Sequence, residues 1–162
     1  MKLHEYIKGV NKTWKPADGL KDLEHCRLAA VAEVGNIASW HRQRLSYGVP
    51  MKIVRPGLKE AYGKLLYNVV KAVELSECEV VVEGRFLDVE IKGVENVDIV
   101  GALGAMSEAC TIMIQSSFHS EEWPTCLCTL LDLGIVMMAF EGFDVEEIQY
   151  ASLAQADKEA AA

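Results

Sequence analysis

The residues of this 162-residue chain that could do chemistry are few and scattered. Glu33 stands among Ala32, Val34 and Ile37 on a stretch with helical apolar spacing. A carboxylate in such company needs a partner, because burying an unpaired charge is costly. Arg27, Arg44 and Lys64 are the cations that could pair with it; the alternative is a carboxylate kept for a ligand. Glu108, between Ser107 and Ala109, poses the same choice. The densest basic run is His41-Arg42-Gln43-Arg44. It reads as a solvated helix end favoured by the helix dipole, or as a contact for ligand phosphates together with Lys52 and Arg55. Lys64, between Gly63 and Leu65, reads as a solvated lysine or as a phosphate contact. Asn68, one turn further on, could read a base or sugar edge. Trp40, Tyr47 and Tyr67 could stack on a base, although aromatic residues at helical spacing more often fill a core.

Cysteines stand at positions 26, 78, 110, 126 and 128. Their odd number and the length of the chain argue against a disulfide framework, so they read as reduced, small core residues. Cys126 and Cys128 are not accompanied by a second pair at metal-ligand spacing. His25, Cys26 and His41 do not complete the four ligands a structural zinc requires. Ser39, His119 and the cysteines form no recognisable nucleophile–base pair.

The elements that must position these residues are helical. Leu3, Tyr6, Ile7, Val10 and Trp14 share one face of a helix over 3–14, closed by Pro16 and the Ala-Asp-Gly at 17–19. A second helix is expected over 21–46, with Asp22 as N-cap. Its expected core stripe is Leu28, Val31, Ala32, Gly35, Ala38 and Leu45, with Val34 and Ile37 beside it. Tyr47-Gly48-Val49-Pro50 ends it, and a loop containing Pro56-Gly57 is expected next. Leu58, Tyr62, Leu65, Leu66, Val69 and Val73 mark a helix over 58–75, the clearest amphipathic signal in the chain. Residues 79–91 are rich in β-branched types and fit a short β-hairpin around Glu83-Gly84, with a continued helix or a loop as alternatives. Helices follow over 96–118, 124–141 and 144–156, with a frayed Ala-rich tail. The segment 124–141 is apolar nearly all round and should be buried on most faces, centrally or at a subunit contact.

The fold class expected is mainly all-α, a single helical domain over 1–162 built as a four-helix bundle. Each half holds two long helices joined by a loop, which suggests an internal duplication: one repeat over 1–77, a connector over 78–95 and a second repeat over 96–156. With 16 basic and 24 acidic residues the net charge is -8. That argues against a dedicated binder of a nucleic-acid polymer and against an anionic membrane surface as partner. No apolar run approaches the roughly 20 residues of a membrane span, and the start has no signal-peptide core. A cytoplasmic protein is the expectation.

Several segments resemble the MazG-like, all-α nucleotide pyrophosphohydrolases, especially short phage-type members. Leu28-Ala-Ala-Val-Ala-Glu-Val-Gly-Asn-Ile-Ala-Ser-Trp-His-Arg-Gln-Arg-Leu-Ser-Tyr-Gly48 resembles their first metal-binding helix. Leu58-Lys-Glu-Ala-Tyr-Gly-Lys-Leu-Leu-Tyr-Asn-Val-Val70 resembles the second, and Leu3–Trp14 the lead helix. In the second half, Gly101–Ala109 and Cys126–Leu131 are similar to a further copy of the two motifs, and Glu141–Ile148 is similar to the family's close.

The resemblance implies a scaffold for nucleotides with four converging carboxylates that hold Mg²⁺. Here Glu33 is kept, but Asn36 stands in place of the second Glu, and Ala61 and Lys64 in place of the Glu and Asp of the next helix. In the second copy Ala105 replaces the first Glu, Glu108 keeps the second, and Cys126 and Thr129 replace the last pair. The substitutions imply lost hydrolysis, with Lys64 mimicking the metal's charge and holding a phosphate. The ligand-binding set implied is Glu33, Asn36, Lys64, Asn68, Arg44 and Glu108, without a required cofactor. An alternative is an active, Mg²⁺-dependent pyrophosphohydrolase with a rebuilt site, whose catalytic and metal-binding carboxylates would be Glu33 and Glu108. In that case Glu60, one residue out of register, would point roughly 100° away from the site. A third expectation is a non-enzymatic scaffold whose buried-looking 124–141 helix forms a partner contact. The partner expected is a nucleotide or related phosphorylated small molecule, with the chain a homodimer or an internally duplicated monomer.

Overall fold

A computed structural model describes residues 1–16, 18–79, 81–82 and 96–162. Its principal elements are six helices: α1 (Leu3–Thr13), α2 (Gly19–Tyr47), α3 (Met51–Leu75), α4 (Ile99–Gln115), α5 (Glu122–Phe140) and α6 (Val145–Ala161). No strand occurs among the described residues. The β-hairpin expected over 79–91 falls almost wholly outside them, as does most of the connector 78–95.

The helices α2 and α3 form one hairpin and α4 and α5 a second. Contacts of α2 with α4, and of α3 with α5, close the four into a bundle. α1 and α6 pack on each other and cover the remaining side of α3. This makes α3 the central helix, and its buried face is correspondingly wide: Val54, Leu58, Ala61, Tyr62, Leu65, Leu66, Val69, Val70 and Val73. α5 is the second central element. Trp123, Leu127, Leu130, Leu131, Ile135, Met137 and Met138 are buried along it, as its all-round apolar sequence requires. Among the described helices α5 alone has the length and hydropathy of a membrane span, but it contributes its apolar surface to the bundle core. The Trp123 indole donates to Ser76 Oγ at 2.7 Å and lies edge-on to Phe118 at 4.9 Å, fixing the start of α5 against the end of α3.

Four expectations need correction. Asp18, not Asp22, caps α2, accepting from the backbone N–H groups of Leu20 and Lys21. Asp22 is buried instead. The core stripe of α2 is Cys26, Ala30, Val34, Ile37 and His41, whereas Leu28 and Leu45 are 62% and 57% exposed. The expected stripe is thus rotated away from the core, and Val34 and Ile37, expected beside it, stand at the centre of the buried face. α3 begins at Met51 rather than 58 and runs through Pro56. Pro56 forfeits one helical hydrogen bond, but Val54 and Leu58 on either side are fully buried and hold the segment helical. Gly57 sits against Trp40 so closely that a Cβ would have no room. Finally, α6 continues through the Ala-rich tail to Ala161, in keeping with the high helix propensity of alanine.

All five cysteines are buried, as the small-core reading expects. Burial pushes the thiols of Cys26 up to about 12, and of Cys78 and Cys110 up to about 11.

Candidate functional site

A groove of about 650 Å³ runs over α3 between α2 and α6. Small residues make it: Ala29 on α2, Gly63 on α3, and Ala151, Ser152 and Ala156 on α6. A Cβ at Gly63 would come within 3.3 Å of Ser152 Cβ, so a larger residue there would press on the groove wall. At one end Trp14 stacks on Tyr67, with ring centroids 5.9 Å apart, and His25 stands edge-on to Trp14 at 5.5 Å. Lys71, buried and held by Asn11 at 2.7 Å and Glu74 at 2.8 Å, places its ammonium 5.6 Å from the Trp14 ring. Tyr67 is tied to Thr13 by a hydroxyl hydrogen bond of 2.9 Å, and burial raises its pKa. Around the same aromatic corner a second hollow of about 400 Å³ continues toward Lys15, Lys21 and Asp22.

The charged residues lie along the groove and toward its other end. Lys64 is 2.7 Å from Glu60. The hydrogen bond to Glu60 raises the Lys64 pKa against the opposing effect of burial, with Glu33 and Glu159 adding to the rise. Lys59 pairs with Glu147 of α6. Glu33 accepts from the Asn36 amide at 3.1 Å, and none of the described Lys, Arg or His side chains forms an ion pair with it. Asn68 is 8% exposed; its amide donates to the Lys64 carbonyl at 2.9 Å, and its Oδ1 is buried without a partner. The Trp14 indole N–H is likewise buried and unpartnered.

Of the residues singled out in the sequence, the groove brings together Glu33, Lys64, Tyr67 and Asn68. Asn36 is exposed beside Glu33 but does not line the groove, and Glu108 stands exposed on the outer face of α4. Among the described residues no group of three or more His, Cys, Asp or Glu stands close enough to share a metal ion. Glu60, expected to point elsewhere, lines the groove beside Lys64 because the two are one turn apart, while Ala61 is the neighbour that turns into the core. The groove is not legible in the sequence chiefly because no local pattern places the last helix against α3: Ser152, Gln155 and Glu159 complete it from the far end of the chain.

The basic run at 41–44 has a different role from either one expected. His41 is 1% exposed, and its Nε2 lies 2.7 Å from Oε1 of Glu141, whose side chain is also 1% exposed. The contact is close but poorly aligned for a hydrogen bond. Tyr62 donates to Glu141 Oε2 at 3.2 Å, and Arg44 approaches His41 Nδ1 at 3.4 Å. Arg55, on α3 and not on a loop, donates to the carbonyls of Glu141 and Gly142 and lies over Phe143. Gly142 adopts φ 73, which turns the chain out of α5 so that these carbonyls face Arg55. Burial beside the Glu141 carboxylate pushes the Tyr62 hydroxyl pKa upward. Arg44 is therefore part of a sealed structural cluster and does not reach the groove.

No protein-family model, curated protein or solved structure matches this chain.

Proposed function

We propose that the chain is a non-hydrolytic binding protein for a nucleotide or a closely related phosphorylated small molecule, with a MazG-like helical ancestry. The observation that carries this reading is the meeting of a stacked aromatic pair, Trp14 and Tyr67, with Lys59, Lys64, Asn68 and Glu33 along one groove. Its volume of about 650 Å³ lies within the roughly 300–1,000 Å³ of small-molecule sites. A planar base would lie toward Trp14 and Tyr67, and phosphate toward Lys59 and Lys64. Lys64 supplies a fixed positive charge where a hydrolase of this kind would need divalent metal, and its contact with Glu60 occupies a carboxylate that could otherwise ligate. Binding a phosphate exchanges carboxylate partners of Lys59 and Lys64 for phosphate oxygens; both pairs are partly exposed, so little stability is lost in releasing them. The acidic groove wall favours ligands carrying few phosphates over triphosphates, because Glu33, Glu60 and Glu159 repel additional negative charge.

The test is retention from a mixed pool of nucleoside mono-, di- and triphosphates at stoichiometric protein, with and without Mg²⁺, followed by chromatography of the free and retained fractions. An intact nucleotide retained by the wild type and released by Lys64→Glu is the expected result. Metal-dependent appearance of monophosphate and pyrophosphate would overturn the non-hydrolytic reading, and retention of nothing would overturn nucleotide binding.

A further inference from the structure

Resting on that reading, we infer that the groove selects ribonucleotides over their deoxy forms, with the side-chain oxygen of Asn68 accepting from a ribose hydroxyl. Asn68 lines the groove and is 8% exposed. One end of its carboxamide is committed: Nδ2 donates to the Lys64 carbonyl at 2.9 Å, one turn back along α3. That bond fixes which way round the amide lies, because a carbonyl accepts only from the nitrogen. Oδ1 is left buried, with no donor among the described residues. The indole N–H of Trp14, also on the groove wall, is itself unpartnered and so does not supply one. A buried acceptor without a donor costs free energy, and a ligand that brings the donor recovers it.

Position along α3 says which part of a nucleotide brings that donor. Asn68 follows Tyr67 directly, and the aromatic corner extends from Tyr67 away from Lys64: the Trp14 ring is stacked on Tyr67 and lies 5.6 Å from the ammonium of Lys71, a turn further on. Lys64 stands about 6 Å from Asn68 along the helix axis on the other side, and its ammonium reaches one turn further back, to Glu60 at 2.7 Å. The bond from Nδ2 to the Lys64 carbonyl draws the Asn68 carboxamide into the interval between the rings and the ammonium. In a nucleotide the sugar occupies the interval between base and phosphate. The ring oxygen and the ester oxygen of the sugar only accept, so its hydroxyl groups are its donors. A base amine is carried with its ring to the aromatic corner. A site built to pair with a hydroxyl discriminates against the analogue that lacks it, because the buried partner then stays unmet.

Equilibrium dialysis of the full chain against AMP, GMP, CMP and UMP, each beside its 2′-deoxy and 3′-deoxy forms, tests the inference. Loss of the hydroxyl that faces Asn68 should weaken binding about fivefold, the effect of one hydrogen bond, and the form that loses affinity identifies that hydroxyl. Asn68→Leu keeps the approximate shape and removes both polar atoms. It should keep its melting temperature without ligand, bind ribonucleotides at the level of the weaker deoxy form, and no longer tell the forms apart. Equal binding of all three forms to the wild type, or a ribose preference that survives in a folded Asn68→Leu variant, would overturn the Asn68 assignment while leaving nucleotide binding in place. The wild-type comparison stands without the variant. Binding of none of the nucleotides would overturn both readings.

Discussion

Two clusters of opposite charges in this protein use similar side chains to different ends. The first joins His41, Arg44, Tyr62 and Glu141 where α2, α3 and the end of α5 meet, and its central side chains are 1% exposed. The second joins Lys64, Glu60 and Glu33 along the groove, where the Lys64 side chain is 42% exposed and that of Glu60 63%. In the sealed cluster the His41–Glu141 contact and the Tyr62–Glu141 hydrogen bond join helices out of reach of solvent. In the groove the pairs are solvated, individually weak and exchangeable for a ligand. What separates structure from function here is solvent access rather than residue type: the run richest in cations is the structural one.

Substitutions can break that contrast, and the largest effect belongs to the sealed side. Glu141→Ala leaves the buried Tyr62 hydroxyl without its acceptor and removes the buried neighbour of His41, and should cost about 3 kcal/mol, read as a lower urea midpoint. Gly57→Val forces a side chain into the space of Trp40 and should cost about 1–3 kcal/mol, measured the same way. A third effect depends on pH. Buried Cys78 and Cys110 titrate near 11 and Cys26 near 12, above the ordinary 9.0 of a thiol. The unfolded chain ionises first, so their contribution to stability is complete below the ordinary thiol value of 9.0. It should fall progressively as pH rises through about 12, and Cys26→Ala should flatten the upper part of that decline in chemical unfolding curves. Asp18→Ala removes the α2 cap and should cost about 1 kcal/mol. The smallest stability effect belongs to the groove: Lys64→Met should change folding stability by about 1 kcal/mol or less while weakening nucleotide retention by about tenfold. A large loss of stability in that last variant would place Lys64 with the structural residues.

The helical order was legible because α3 and α5 carry strong patterns, one amphipathic and one apolar throughout. Local rules failed where packing overrode them. Pro56-Gly57 has the composition of a loop, yet it is helical because Gly57 is what lets Trp40 close on α3. The inward face of α2 is weakly marked in the sequence: Cys26, Ala30 and His41 carry little apolar signal, while Leu28 and Leu45 on the outer face carry more. His41 and Glu141 stand a hundred residues apart and no local signal joins them. Glu33, Lys64 and Asn68 were recognisable as types, and helical spacing put Lys64 and Asn68 on one side of α3. Glu60 was set aside by counting from a motif instead of from Lys64, and Glu108 was attached to the site by an analogy between halves that the groove does not use.

Hydrogen exchange with and without a saturating mixture of nucleoside mono- and diphosphates tests the central claim most directly. Protection should appear along α2 at 25–33, α3 at 56–68 and α6 at 148–159, the walls of the groove, and leave the amides around His41 and Glu141 unchanged. Protection confined to the sealed cluster or to α4, or none at all, would contradict the assignment of the groove as the binding site.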